Sequence, residues 1–395
     1  MKLKGEFEDF NMDNTVVMLA GLVFYMIADG WSYSLSIIFQ LFQKKFDVNN
    51  SKVYLFITIV YAVPCISSVF VCILIKKTSF QFCAFLGSAI FSISLLLYHT
   101  MYSWTQLIIS INIIGSIGLS LYYLVAYLNV VHSFDKNRGL ALGITTLGSP
   151  IGGTIFPYIL NATFNYHANH YMYIIGGVIL TISLITSMAF TSKNKLIKSQ
   201  VHSVLESENN EPIEHKEETK LVHIISFFHL SIFKNFKLDI YLISLFLAYL
   251  FISNGFVYVY QHLEISIVPK PEEYITKLIT IVISLMSVSR GCGQVLFGIL
   301  SDRCRISTFY LLGLCFVGLS ICFILMGLTS SVYLLSFLYI VYALLFSSVY
   351  IIPIFNIGKL VNQEHVNHVF SYQLAFNGIG MLIGAEISSN FFKFI

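Results

Sequence analysis

Charge is scarce in this chain. Asp, Glu, Lys and Arg make up 11% of its 395 residues, against roughly a quarter in a soluble protein. Net charge is only +3, and no basic stripe interleaved with aromatics appears, which argues against a nucleic-acid partner. The seven cysteines stand singly, without CxxC or other ligand spacing. Neither a metal site nor a disulfide framework is indicated, and no cofactor is implied. No GxxxxGK[ST] run is present to cradle ATP, and HExxH, GxSxG and paired catalytic aspartates are missing as well, so an enzyme is not expected. The N-terminal MKLKGEFEDFNMDN is polar and acidic. It carries no signal-peptide cleavage pattern, and the first apolar segment is expected to stay in the protein.

What the chain has instead is apolar surface. Hydrophobic residues are 56% of the sequence and mean hydropathy is +0.78. One soluble core cannot hide that much, so the solvent is lipid. Apolar runs long enough to span a bilayer fall at 15–42, 53–75, 81–99, 105–131, 139–164, 171–191, 238–262, 274–300, 307–328, 331–357 and 369–392. The polar segment 192–236 separates six spans from five. The expected organisation is an N-terminal helical bundle over 1–191, a linker loop over 192–236 and a C-terminal bundle over 237–395. Lys and Arg concentrate on the side of the N-terminus: Lys76, Lys77, Lys136, Arg138, the lysines of the central loop, Arg303, Arg305 and Lys359. The positive-inside rule therefore places that side in the cytoplasm.

The two halves echo one another. The first span reads Asp29-Gly30-Trp31-Ser32-Tyr33 and the seventh Asn254-Gly255-Phe256-Val257-Tyr258. The fifth carries GSPIG from Gly148 to Gly152, and the eleventh GMLIG from Gly380 to Gly384, at nearly the same offset. Parallel repeats of this kind predict two bundles that rock around a site at the midplane.

The segment from Phe134 to Gly153, FDKNRGLALGITTLGSPIGG, resembles the signature of monocarboxylate transporters within the major facilitator superfamily. Gly298-Ile-Leu-Ser-Asp302-Arg303 is similar to the superfamily's G-x-L-x-D-R loop motif, and Trp31 to Phe39 to the family's first helix. The resemblance implies an all-α polytopic membrane protein with two six-helix bundles, although only eleven spans are read and the second bundle lacks a twelfth. It implies secondary transport of a small organic anion coupled to protons, as a symporter. An accessory membrane subunit is a further partner class it admits. Plasma membrane is the family default, with an organellar membrane as the alternative. The chain departs from the family at three places: Ile37 stands near the expected helix 1 lysine, Met286 at the expected helix 8 aspartate, and loop 76–78 lacks the usual acid.

Arg290 lies near the centre of the 274–300 span. A charge there costs about 2.5–3.5 kcal/mol on insertion scales, so it is expected to face the interior with a partner. A guanidinium can grip a carboxylate with two parallel hydrogen bonds; a structural ion pair between helices is the competing explanation. Asp29, at similar depth in the first span, is the candidate partner of Arg290 and the candidate proton carrier. Tyr33, Tyr122, Asn254 and Tyr258 are candidate polar contacts to the solute. Gly148, Pro150 and Gly152 are expected to pack and bend the fifth span. Arg138, Asp302 and Arg303 are expected to latch the bundles through ion pairs and helix-end charges. Two other functions remain open at this level: a carrier of a neutral or cationic solute such as an amino acid or drug-like molecule, and a transport-inert receptor or scaffold.

Overall fold

The computed structural model describes residues 9–34, 42, 46, 50–166, 170–190, 235–250, 272–303, 307–329, 331–362 and 365–391. The linker expected over 192–236 falls almost wholly outside them. The helices are α1 (Met12–Tyr33), α2 (Asn50–Lys77), α3 (Phe80–Leu96), α4 (Trp104–Ser133), α5 (Arg138–Thr146), α6 (Gly148–Tyr166) and α7 (Tyr171–Ser187). After the linker come α8 (236–250), α9 (Glu272–Arg303), α10 (Thr308–Leu328), α11 (Val332–Phe346), α12 (Ser348–Leu360) and α13 (Val366–Phe391). Each of the eleven predicted spans overlaps one of these helices, or two in the case of α5–α6 and α11–α12.

Local chemistry sets the helix ends. The Asn11 side chain accepts the Asn14 N–H at 2.8 Å and starts α1. Ser79 does the same for Phe82 at the head of α3, and Ser103 with Gln106 closes a capping box at the head of α4. The fifth span breaks at Leu147. Pro150 explains the position, since its ring clashes with the carbonyl four residues back, at Thr146, where α5 ends.

The outward faces are apolar because they meet lipid rather than water. On α10, Leu314, Val317 and Ile321 are exposed while Leu312, Cys315, Leu319 and Cys322 are buried. Seven segments satisfy both length and hydropathy for a membrane crossing among the described residues. The protein is an integral multi-pass membrane protein.

Helices α1 to α7 pack mainly on one another, as do α9 to α12. Two broad contacts cross between these groups: α2 against α13, and α5–α6 against α9. These are exchange-related. In each, the second span of one half meets the fifth span of the other, as a parallel repeat requires. The repeat also shows in fine packing. A Cβ on Gly148 or Gly152 would strike the carbonyls of Leu22 or Met26 on α1, and one on Gly380 would lie 3.1 Å from the Phe246 carbonyl on α8. Small residues thus let the fifth span approach the first, and the eleventh approach the seventh.

Candidate functional site

Arg290 sits on α9 where that helix is pinned to the tenth span. Ser347 Oγ donates to the Arg290 carbonyl at 2.8 Å, and Ser289 Oγ to the Ile340 carbonyl at 2.8 Å. The Arg290 side chain is buried, at 3% exposure. Its Nη1 donates to the Tyr33 hydroxyl. Its guanidinium carbon lies 4.7 Å from the Tyr350 ring centroid, 5.2 Å from Tyr33 and 5.9 Å from Phe346. Aromatic faces stabilise a desolvated cation through the ring quadrupole, which is how an arginine persists in so apolar a run. Gly153 makes room for this arrangement, since a Cβ there would come within 2.8 Å of the Tyr33 ring.

Asp29 lies one helical turn before Tyr33 on α1 and is 7% exposed. Its Oδ1 accepts the Tyr123 hydroxyl of α4 at 2.5 Å. Tyr25 meets the Tyr123 ring edge-on at 5.4 Å. Asp29 is bonded to Tyr123 and Arg290 to Tyr33, and no ion pair between Asp29 and Arg290 is found among the described residues.

The other anticipated contacts divide. Tyr33 is at the site. Tyr122 is not: it is fully buried between Phe24, at 4.2 Å, and Phe91, at 6.1 Å, within the core of the first half. Its neighbour Tyr123 turns to Asp29. Asn254 and Tyr258 lie outside the described residues. Pro150 touches α9, 3.4 Å from a Cβ built on Gly291.

At one end of the molecule the two halves are shut. Asp302 Oδ1 and Oδ2 accept the backbone N–H groups of Gly139 and Leu140, each at 2.8 Å. This is a carboxylate at a helix N-terminus, favoured by orphan donors and by the macrodipole. The backbones meet directly as well: a Cβ on Gly139 would strike the Gly298 carbonyl, and the reverse holds. Tyr127 of α4 stacks on Phe370 of α13 at 4.4 Å, and its hydroxyl donates to the Tyr350 carbonyl at 3.3 Å. His132 meets Asn367 at 2.9 Å. Arg138 takes no part in a bond to Asp302. It turns back on its own loop, donating to the Phe134 carbonyl at 2.5 Å and pairing with Asp135 at 3.0 Å. Arg303 follows Asp302 at the end of α9.

Sequence reasoning missed two participants. Asp9 Oδ2 accepts backbone N–H groups from Lys136 at 2.5 Å, Asp135 at 3.2 Å and Asn137 at 3.3 Å. The signal was an acid just before the α1 cap. Tyr350 was the other, marked only by a polar-tipped ring in an apolar span beside Ser347 and Ser348.

Residues 17–385 match the family model of the Major Facilitator Superfamily. The chain belongs to that superfamily. No curated protein sequence matches it. As a Major Facilitator Superfamily member the protein is a secondary transporter of a small solute, working in a lipid bilayer. The packing of α2 on α13 and of α5–α6 on α9 is what gives such a transporter its two contact seams.

Proposed function

We propose that the protein carries a small organic anion by alternating access, with the solute carboxylate held by Arg290 and transport coupled to protons through Asp29. The observation that carries this reading is the Arg290 environment. A permanent cation is buried at mid-span among the rings of Tyr33, Tyr350 and Phe346. A planar fork held this way suits bidentate capture of a carboxylate. Asp29 supports the proton role because it is a buried acid one turn from Tyr33, which holds that cation, and its own hydrogen bond comes from a hydroxyl, which can follow a change in its charge. The two bundles, 1–191 and 237–395, rock about this layer, with the Asp302 end facing the cytoplasm by the positive-inside rule.

Uptake of labelled lactate, pyruvate and other carboxylates into proteoliposomes, with and without an inward proton gradient, tests the proposal beside Arg290→Ala. Gradient-stimulated uptake that the substitution abolishes is the expected result. Concentrative uptake of amino acids or organic cations with no carboxylate uptake would select the neutral or cationic alternative. Failure to concentrate any solute would select the scaffold.

A further inference from the structure

Some buried side-chain amides among the described residues have protein partners. Asn112 Nδ2 donates to the Phe56 carbonyl at 2.9 Å, and Asn356 is bonded to both Thr308 and Tyr241. Two lack a partner at both ends of the amide. Gln294, at 0% exposure, and Asn377, at 1%, each have both the amide nitrogen and the amide oxygen buried without a hydrogen-bond partner. An unbonded buried amide is costly, more so where the surroundings are this apolar.

Helix geometry puts both on the seam between the halves. On α9, Gly291 and Gly298 face α5–α6, while Gly293 faces Leu344 and Ser347 of the tenth span. At 100° per residue, Arg290 and Gln294 fall between those two faces, toward the centre. Gln294 is one turn from Arg290, about 6 Å along the axis. Asp29 is likewise one turn from Tyr33, on the same side of the arginine. On α13, Ser371 and Gly378 face α2, through Ser68 at 2.8 Å and the Ala62 carbonyl. Asn377 instead shares the stripe of Phe370, which stacks on Tyr127. His132–Asn367 and Tyr127–Phe370 show that α4 and α13 run antiparallel. Seven residues beyond Phe370 therefore bring Asn377 to within a turn of the level of Tyr123 and Asp29.

We infer that Gln294 and Asn377 are solute-contacting, specificity-determining residues: a neutral pair of amides that reads a hydroxyl or similar donor–acceptor group on the carried molecule, apart from its carboxylate. The inference rests on the anion reading above. An amide offers a donor and an acceptor on one rigid plane, which matches a group that both gives and takes a hydrogen bond. A site built this way rejects the analogue that lacks the group, because its own polar atoms are then left unpaired.

The test compares Asn377→Leu and Gln294→Met with the wild-type chain in proteoliposomes. The readout is the ratio of kcat/KM for 3-hydroxybutyrate over butyrate, with the melting temperature of the purified protein alongside. Each substitution is expected to lower the ratio by about two- to tenfold, the worth of one neutral hydrogen bond. Butyrate uptake persists and the melting temperature holds or rises, because no protein partner is lost. An unchanged ratio in both variants overturns the inference, as does a fall of several degrees in melting, which would mean that the amides serve structure. Arg290→Ala keeps the two readings apart. If neither acid is taken up in an Arg290-dependent way, the anion reading has failed, and the melting comparison alone decides whether the amides are held at a cost to stability.

Discussion

The Asp302 carboxylate receives the Gly139 backbone N–H at 2.8 Å, across 163 positions of chain. With the matching bond to Leu140 it ties α9 to the head of α5. Hydrogen bonds to a charged group contribute about 1.5–3 kcal/mol each. Asp302→Ala removes both, so the closed end should open more often by roughly tenfold to a few hundredfold, allowing for water replacing part of the loss. Labelling of Leu142→Cys by a membrane-impermeant maleimide from that side reads the change. A labelling rate equal to that of the parent would rule the latch out.

Arg290→Lys keeps the charge and discards the planar fork. Anion uptake should fall about tenfold to a hundredfold in kcat/KM if two charge-assisted bonds are replaced by one. Tyr33→Phe, which removes the hydroxyl that Nη1 donates to, should fall less. Equal rates for Lys and Arg would argue that the cation acts only as a point charge.

Asp29→Asn leaves an oxygen able to accept the Tyr123 hydroxyl but cannot carry a proton. Folding should survive. Stimulation by a proton gradient should disappear, while solute exchange without a gradient continues. Retained stimulation would move proton coupling to another group.

Glycine packing gives a stability prediction with its own control. A Cβ at Gly148 would collide with backbone at Leu22, whereas one at Gly177 meets nothing within 4 Å. Gly148→Ala should lower the melting temperature by many degrees or prevent accumulation of folded protein. Gly177→Ala should leave it unchanged or slightly raised, since alanine is the better helix former by about 1 kcal/mol. Thermal melts of the two purified variants settle the comparison.

The spans were readable from the sequence because lipid demands long apolar runs whatever they pack against. The break near Thr146 was readable too, since Pro150 carries its own cause. Direction around each helix was not. In α4 both the lipid face and the core face are apolar, so nothing in the pattern says that Tyr123 meets Asp29 while Tyr122 fills the core beside Phe24. A 100° step separates those two tyrosines, and only packing fixes it. The direct partners of Arg138 were not readable for a related reason. Its charge was visible, but the nearer acid, Asp135, lies one turn back and takes it. Asp9 escaped notice because its partners are backbone groups of a loop, which no side-chain pattern announces.

The stretch from Phe134 to Leu140 is gripped by two carboxylates from opposite sides, Asp9 ahead of α1 and Asp302 at the end of α9. Mechanically, the start of the chain is therefore a handle on the door. A pull on Asp9 is transmitted through three backbone N–H groups into the loop whose far end Asp302 holds. A bulky fusion or a tether placed just ahead of Asp9 therefore bears on the closure itself.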